Sequence, residues 1–481
     1  SNSNRGERNW EHELMRILIT VLALIAPNFA FAADRPNIIF MLADDQGWNG
    51  LSVAMHPTVA GSKGDIFYTP HLEKFAGQSM RFSAAYAPAP VCSPTRISLQ
   101  TGKSPAQLHW TKAAPAVEGQ KLIEPRIIKD ISSNENTIGE MLRGAGYATA
   151  HFGKWHIRGG GPGQHGYDEH DGDTGNEQAY KFTDPNPVDI FGMAKKAATF
   201  MKKNKDANKP FYIQLSWNAL HGQENALKAT LAKYEKLGTG KNSQRAAITE
   251  DLDTGVGMVL KSIDDLGLSA NTFIIYMSDN GSGGGRGALS GGKGDVYEGG
   301  IRVPLIIRGP GVKANSWCHT RVVGYDLFPT FCEWAGINAS KLPKEIEGGS
   351  IASLLLNEGQ GKVTRLRDSL VFHFPHYQGD SPHSAIIKGD MKLIKFYEDN
   401  KLLLFDLSKD LRESNNLATK MTEETNNLHK ALIEYLAEIK AQLPASNPKY
   451  DPNQKTISFK KGGNKGGPDP GMQKGKGKTN P

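Results

Sequence analysis

The sequence predicts an α/β fold: a large mixed, mostly parallel sheet flanked by helices, followed by a smaller C-terminal antiparallel α+β subdomain. Three observations lead there. Continuous apolar runs at Ile38–Leu42, Phe211–Leu215 and Phe273–Met277 have the length and composition of strands buried on both faces. Between them lie helix-length amphipathic segments at Leu72–Ala76, Thr137–Ala145, 189–203 and Ser243–Leu266, the alternation that builds a doubly wound sheet. After about residue 365 the pattern changes to short strands, Ser369–Phe374, Ser384–Ile387, Lys392–Phe396 and Lys401–Phe405, divided by polar turns and closed by a helix at Thr422–Leu443.

A chain of 481 residues is long enough for one large domain and a small one. The segments read as an extension and signal peptide (1–32), a catalytic domain (33–364), the antiparallel subdomain (365–445) and a disordered basic tail (446–481). Within 15–32, Met15 and Arg16 precede an apolar stretch, Ile17–Ala26, and a small-residue cleavage site, Ala30-Phe31-Ala32. Pro27 ends the apolar run too early for a membrane span. The expectation is a periplasmic or secreted protein with no stable membrane insertion after signal cleavage. Export permits disulfides, so Cys318 and Cys332 either pair or stay buried as free thiols. The net charge of +7 is concentrated at the end, where residues 460–481 hold six lysines and one aspartate. The body is therefore close to neutral, and no nucleic-acid partner is expected.

The first strand runs into Asp44-Asp45-Gln46-Gly47-Trp48, placing two carboxylates where open α/β sheets bind ligands. A strand at Met80–Tyr86 leads to Cys92-Ser93-Pro94-Thr95-Arg96, the start of a helix, with Cys92 at the positive end of its dipole. The strand at Tyr147–Phe152 enters Gly153-Lys154-Trp155-His156, where alternation would set Lys154 and His156 on one face, suited to an anion. The Gly/His/Asp-rich stretch 159–176 reads as loop. His221 follows the strand ending at Ser216. A second acidic cluster, Asp279 and Asn280, follows the strand ending at Met277. Gly287 to Lys293 nearly spells a phosphate-binding loop, but Gly294 stands where that loop needs Ser or Thr. A further strand is expected at Ile301–Ile307. Asp44, Asp45, Asp279 and Asn280 offer oxygen ligands without a His/Cys set, which suits Ca2+ or Mg2+. Cation, basic ring and one nucleophile together fit a tetrahedral oxyanion ester.

These motifs, in this order over residues 36–445, resemble the type I (formylglycine-dependent) sulfatase family of the alkaline-phosphatase-like superfamily. They are Asp44-Asp45-x-Gly-Trp, Cys92-x-Pro-x-Arg96, Gly153-Lys154-Trp-His156, His221, Asp279-Asn280-Gly, Gly-Gly-Lys293-Gly and Glu298-Gly-Gly-Ile-Arg302-Val-Pro. The resemblance implies that a formylglycine-generating enzyme or equivalent maturase oxidises Cys92 to an aldehyde. It implies Ca2+, ahead of Mg2+, held by Asp44, Asp45, Asp279, Asn280 and the modified Cys92. Arg96 and Lys154 would steady the aldehyde hydrate, Lys154, His221 and Lys293 would hold the sulfate, and His156 would assist sulfate release. Phe372-His373-Phe374-Pro375-His376-Tyr377 looks like the carbohydrate-directed bacterial members, so a sulfated glycan is the expected substrate and His376 a candidate sugar contact. A phosphomonoesterase or phosphodiesterase on the same fold, or a non-catalytic glycan-binding relative, are the alternatives. The first would prefer Ser or Thr as nucleophile and often Zn2+ with several His/Asp ligands, and the second would have lost Cys92, Arg96 or a metal ligand.

Overall fold

In the computed structural model, which describes residues 35–222, 225–282 and 288–453, the chain is organised around its first strand. Strands in chain order are β1 (Asn37–Ala43), β2 (Met80–Phe82), β3 (Ala85–Tyr86), β4 (Leu122–Ile123), β5 (Ala148–Gly153), β6 (Glu169–His170), β7 (Phe211–Ser216) and β8 (Thr272–Ser278). There follow β9 (Leu305–Arg308), β10 (Ser316–Cys318), β11 (Val322–Val323), β12 (Ser369–Phe374), β13 (His383–Lys388), β14 (Met391–Phe396), β15 (Leu402–Asp406) and β16 (Ala445–Ser446). The main sheet has eight strands in the order β10-β2-β9-β8-β1-β7-β5-β6. β1 pairs in parallel with β7 and β8, and β5 in parallel with β7 and β6. Only β9 runs against its neighbours, β8 and β2.

Both faces of this sheet are covered, which is why its strands are apolar throughout rather than alternating. Ile39, Met41, Ile213 and Ile274 pack on the helices Ile190–Asp206 and Ser243–Asp265 through Ala197, Met201, Leu252 and Val256. Ile38, Phe40, Leu42 and Ile275 pack on the helices Cys92–Thr101, Ile138–Gly144 and Leu327–Trp334 through Ile97, Leu142 and Phe331. Cys318 and Cys332 lie in this second layer as buried free thiols. A four-stranded antiparallel sheet, β12-β13-β14-β15, follows. Its outer face packs Val371, Ile386, Leu393 and Leu404 on Leu428, Leu432 and Tyr435 of the helix Thr422–Glu438.

Several expected elements are divided or shortened. The apolar stretch Met80–Tyr86 is two strands in different sheets, since β3 pairs with β11 instead of continuing beside β9. Residues 301–307 are not one strand. The helical turn Glu298–Ile301 comes first, and the proline at 304 holds β9 back to Leu305. The stretch 159–176 contains β6, which forms an edge of the main sheet. The last helix stops at Glu438, and residues 446 and 447 are tied down: β16 pairs with β4, and Asn447 donates from its backbone to Lys121 O (3.1 Å) and from its side chain to Gln120 O (2.7 Å). The signal sequence and residues 454–481 of the basic tail lie outside the described residues.

Candidate active site

Parallel pairing brings the carboxyl ends of β1, β5, β7 and β8 to one edge of the sheet, and the turns leaving them are laced together there. Asp44 N donates to Ala219 O (2.8 Å), Leu220 N to Asp44 O (2.7 Å), and Asp279 N to Ala43 O (3.0 Å). Asp45 sits in the left-handed region (φ 55°), which a short polar side chain tolerates. Its N–H donates to Asp279 Oδ1 (3.1 Å), and Gln46 N–H donates to Ser278 Oγ (2.9 Å). Arg245 reaches over from the Ser243–Asp265 helix and donates to the carbonyls of Asp45 and Leu220.

Cys92 is the first residue of its helix, behind an extended Val91, and is buried. Arg96, one turn on and therefore on the same face, donates to Asp279 Oδ2 through Nε (3.1 Å) and a terminal nitrogen (2.7 Å), and to Lys154 O (2.8 Å). Lys154 pairs with Asp44 Oδ2 (2.5 Å) and Lys293 with Asp45 Oδ2 (2.9 Å). Gly294 N donates to Pro90 O (2.9 Å), holding the Lys293 loop against the Cys92 loop. His156 Nδ1 lies 3.4 Å from Cys92 Sγ and 3.1 Å from Ser93 Oγ. It reaches them through a kink, with φ 91° at Gly153 and 59° at His156, rather than by strand alternation. Only Gly fits at 153, where a Cβ would come 2.2 Å from Ser216 O. Ten of the eleven expected side chains thus meet at one edge: Asp44, Asp45, Cys92, Arg96, Lys154, His156, His221, Asp279, Asn280 and Lys293.

His376 is the eleventh, and the expectation of a sugar contact there is overturned. It is 1% exposed, with Nδ1 on Glu124 Oε2 (2.8 Å) and Nε2 on Thr111 Oγ1 (2.7 Å), so both nitrogens are used inside the protein. His373 is likewise spent on Ser384 Oγ (2.6 Å) and Gln442 O (2.8 Å). Two residues that sequence reading passed over belong to the site's support. Ser93 shares His156, and its only signal was adjacency to Cys92. Arg245 has no signal, since an arginine in a long helix reads as solvated.

The acidic residues fit a hard cation. Asp44, Asp45 and Asp279 each offer an oxygen within 4.8 Å of the others, the one such group among the described residues. Asp44 Oδ1 and Asn280 Oδ1 are buried without a hydrogen-bond partner, and such orphans are costly unless something else satisfies them. Asn280 Nδ2 donates to Asp45 Oδ1 (2.7 Å) and Gly281 O (2.9 Å), which leaves the amide oxygen as the free end. The donors are all oxygens, as Ca2+ and Mg2+ prefer. The electrostatics agree. Burial and the charge of Asp44 push the Asp279 carboxyl up to about 8 despite Arg96, whereas for Asp44 burial is outweighed by Lys154, His221 and Arg96, which hold its carboxyl below the usual range. A divalent cation would relieve that crowding. Burial, then Lys154, pulls His221 down to about 4, and its Nδ1 is a third buried atom without a partner. Burial and the Lys154 and Arg96 charges also hold His156 well below its usual value.

A family model described as Sulfatase matches residues 36–337, and one described as N-sulphoglucosamine sulphohydrolase, C-terminal, matches 292–442. A sulfatase of Formosa agariphila is 30% identical over 495 residues, covering 84% of this chain and 88% of its own. N-acetylgalactosamine-6-sulfatase of Sus scrofa is 29% identical over 387 residues, covering 72% and 70%. Among solved structures, Ps i-CgsB superposes with a TM-score of 0.71 at 22% identity, covering 84% of this chain and 93% of that one. The motifs, the edge-of-sheet site and a family match over more than half of the residues agree: this chain belongs to the sulfatase family, the hydrolases of sulfuric esters.

Proposed function

We propose that the chain hydrolyses a sulfate ester on a sulfated saccharide, using the Cys92 side chain after its oxidation to formylglycine and Ca2+ held by Asp44, Asp45, Asp279 and Asn280. The observation that carries this reading is the set of orphaned buried atoms, Asp44 Oδ1, Asn280 Oδ1 and His221 Nδ1, in a site that Arg96, Lys154 and Lys293 make basic. An anion and a cation together satisfy it. The saccharide part draws support from a neighbouring structure described in complex with its substrate D-glucosamine-2-N,6-O-disulfate (TM-score 0.61, 22% identity) and from another of Ps i-CgsB with k-i-k-neocarrahexaose.

When in place, the modified side chain supplies a hydrated aldehyde as nucleophile and leaving group, and the cation polarises the sulfuryl oxygens. The chain's own residues do the rest. Lys154 and Lys293 neutralise sulfate oxygens in this reading, and Arg96 aligns Asp279 with Lys154. His221 is the group to give a proton to the leaving alcohol. His156, against Cys92 Sγ and Ser93 Oγ, is the group to take a proton from the position-92 side chain when sulfate departs. Secretion to the periplasm or medium and a maturase partner complete the proposal.

The test is desulfation of defined sulfated galactose, N-acetylgalactosamine, glucosamine and fucose oligosaccharides beside an aryl sulfate. A site shaped for sugar hydroxyls should favour one saccharide by orders of magnitude in kcat/KM over the aryl ester. Better turnover of the aryl sulfate than of every saccharide would overturn the glycan assignment.

A further inference from the structure

A second row of groups occupies the same edge of the main sheet, away from the catalytic ring. β10 pairs in parallel with β2, and β2 and β8 both pair antiparallel with β9. The carboxyl ends of β10, β2 and β8 therefore point the same way. His319, just past β10, lies at the catalytic edge three strand positions from β8, roughly 14 Å at ordinary strand spacing.

From His319 a line of rings runs both ways. Trp317 lies 6.4 Å from it with its ring plane nearly parallel, at 5°. His56 lies 5.8 Å away on the other side, and Trp48 lies 6.4 Å from His56. Trp48 is buried in the turn that follows Asp44 and Asp45, so the row joins the catalytic ring through that turn. His319 is exposed, while Trp317 and His56 are half-buried.

The chemistry of the row is one-sided. The Arg81 guanidinium lies 4.0 Å over the Trp317 ring and donates to Asn315 Oδ1 (2.7 Å). It is half-buried, and among the described residues no carboxylate pairs with it; burial alone lowers its pKa. Removing a charge from water without a counter-charge is costly, which makes this arginine a site for an anion. The N–H groups of Thr58 and Val59 both donate to His56 Nδ1 (3.2 Å each), so Nε2 carries the proton and is a donor. His319 Nδ1 pairs with the Ser83 hydroxyl (2.7 Å), leaving Nε2 as its outer atom. Flat ring faces, imidazole nitrogens, an unneutralised guanidinium and no acid in the row match a chain of sulfated sugars. Such a chain offers C–H faces for rings, hydroxyls for donors and sulfates for arginine.

We infer that Arg81, Trp317, His319 and His56 form a docking row for the part of a sulfated saccharide chain that extends beyond the unit being desulfated. This rests on the glycan reading above. The substrate class it adds is a polymer or long oligomer rather than a free sugar sulfate.

The experiment compares the matured wild type with Arg81→Ala, Trp317→Ala and His319→Ala on a sulfated polysaccharide and on the corresponding monosaccharide sulfate. The expected result is a KM on polymer raised about fivefold or more, with monosaccharide turnover held within about twofold. The polymer effect should shrink as salt is added, because the row is reached by solvent. Unchanged polymer kinetics in Arg81→Ala and His319→Ala, or equal losses on both substrates, would overturn the row. Should Trp317→Ala lower the melting temperature, His319→Ala decides, since that side chain is exposed. A wild type that desulfates no saccharide defeats the glycan reading separately. The row is then read from retardation of Cys92→Ala protein in gels containing the polysaccharide, and equal retardation with and without Arg81→Ala counts against it.

Discussion

Cys92 is buried at a helix start, with His156 and Ser93 on one side and the Arg96–Asp279 pair on the other, and this placement sets the first two predictions. An aldehyde at position 92 should be labelled by hydrazide reagents in active enzyme from its native host and be absent from Cys92→Ala. That variant should keep its melting temperature and lose turnover by at least about a thousandfold, the scale of losing a nucleophile. A fully active enzyme with an unlabelled thiol would rule the reading out. Wild-type protein should also melt lower after chelation and recover with Ca2+, because ligand that binds only the native state stabilises it by about 2.7 kcal/mol at one hundred times Kd. Asp279→Asn should abolish that difference; a calcium response that survives it would move the metal elsewhere. At this scale the gathering of the acidic and basic side chains at one edge was readable because strand ends collect chemistry. His376 was not, because its partners Glu124 and Thr111 stand 252 and 265 residues away in sequence and have no local signature.

The strands were legible in proportion to how continuous their apolar runs are, which is why β1, β7 and β8 stood out. The break between β2 and β3 is hidden, since Ser83 and Ala84 interrupt neither propensity nor burial, and only the partner strands reveal it. The turn Glu298–Ile301 is fixed by long-range charge instead. Glu298 accepts from Arg302 Nε (2.6 Å), Lys392 Nζ (2.9 Å) and Tyr86 OH (3.1 Å), and its N–H donates to Glu413 Oε2 (2.7 Å), all buried. This cluster locks the loop bearing Lys293 to β14. Burial opposes ionisation of Glu298, but Lys392 and Arg302 prevail and bring its carboxyl down to about 2 from 4.5. A depressed carboxylate contributes stability that is complete above its unfolded value and is lost as pH falls through the folded one. Glu413 moves the other way, up to about 7, as burial and the Glu298 charge prevail over Lys392, so it still holds a proton where Glu298 begins to lose its charge. Glu298→Gln should cost about 3–5 kcal/mol by stranding the buried Arg302 and leaving Lys392 with Glu413 alone (2.8 Å). Urea midpoints should fall more steeply with pH in the wild type than in this variant between about pH 4.5 and 3. Parallel curves would show that Glu298 is not what acid attacks.

At the scale of the molecule, the main sheet and the antiparallel sheet are joined by the arm at residues 111–124. Lys112 Nζ pairs with Glu124 (2.9 Å) and donates to Tyr377 O (3.0 Å), and Leu122 N–H donates to Tyr377 OH (3.1 Å). The outer strand of that arm, β4, pairs with β16, and Asn447 adds two hydrogen bonds to Gln120 and Lys121. The sequence after Leu443 therefore holds a part that fastens this arm, followed by a lysine-rich stretch outside the described residues. The division was illegible in the sequence, because Ala445-Ser446-Asn447 has neither the length nor the alternation of a strand, and a two-residue pairing leaves no pattern. Two truncations separate the roles. A chain ending at residue 453 should turn over a monosaccharide sulfate at the wild-type rate. A chain ending at Leu443 loses the β16 pairing and the Asn447 bonds, each contributing about 1 kcal/mol, and should melt lower and be cut sooner by protease within 111–124. Lost activity in the 453-residue chain would show that the lysine-rich part reaches the catalytic edge. An unchanged melting temperature in the shorter chain would show that the arm holds without its fastening.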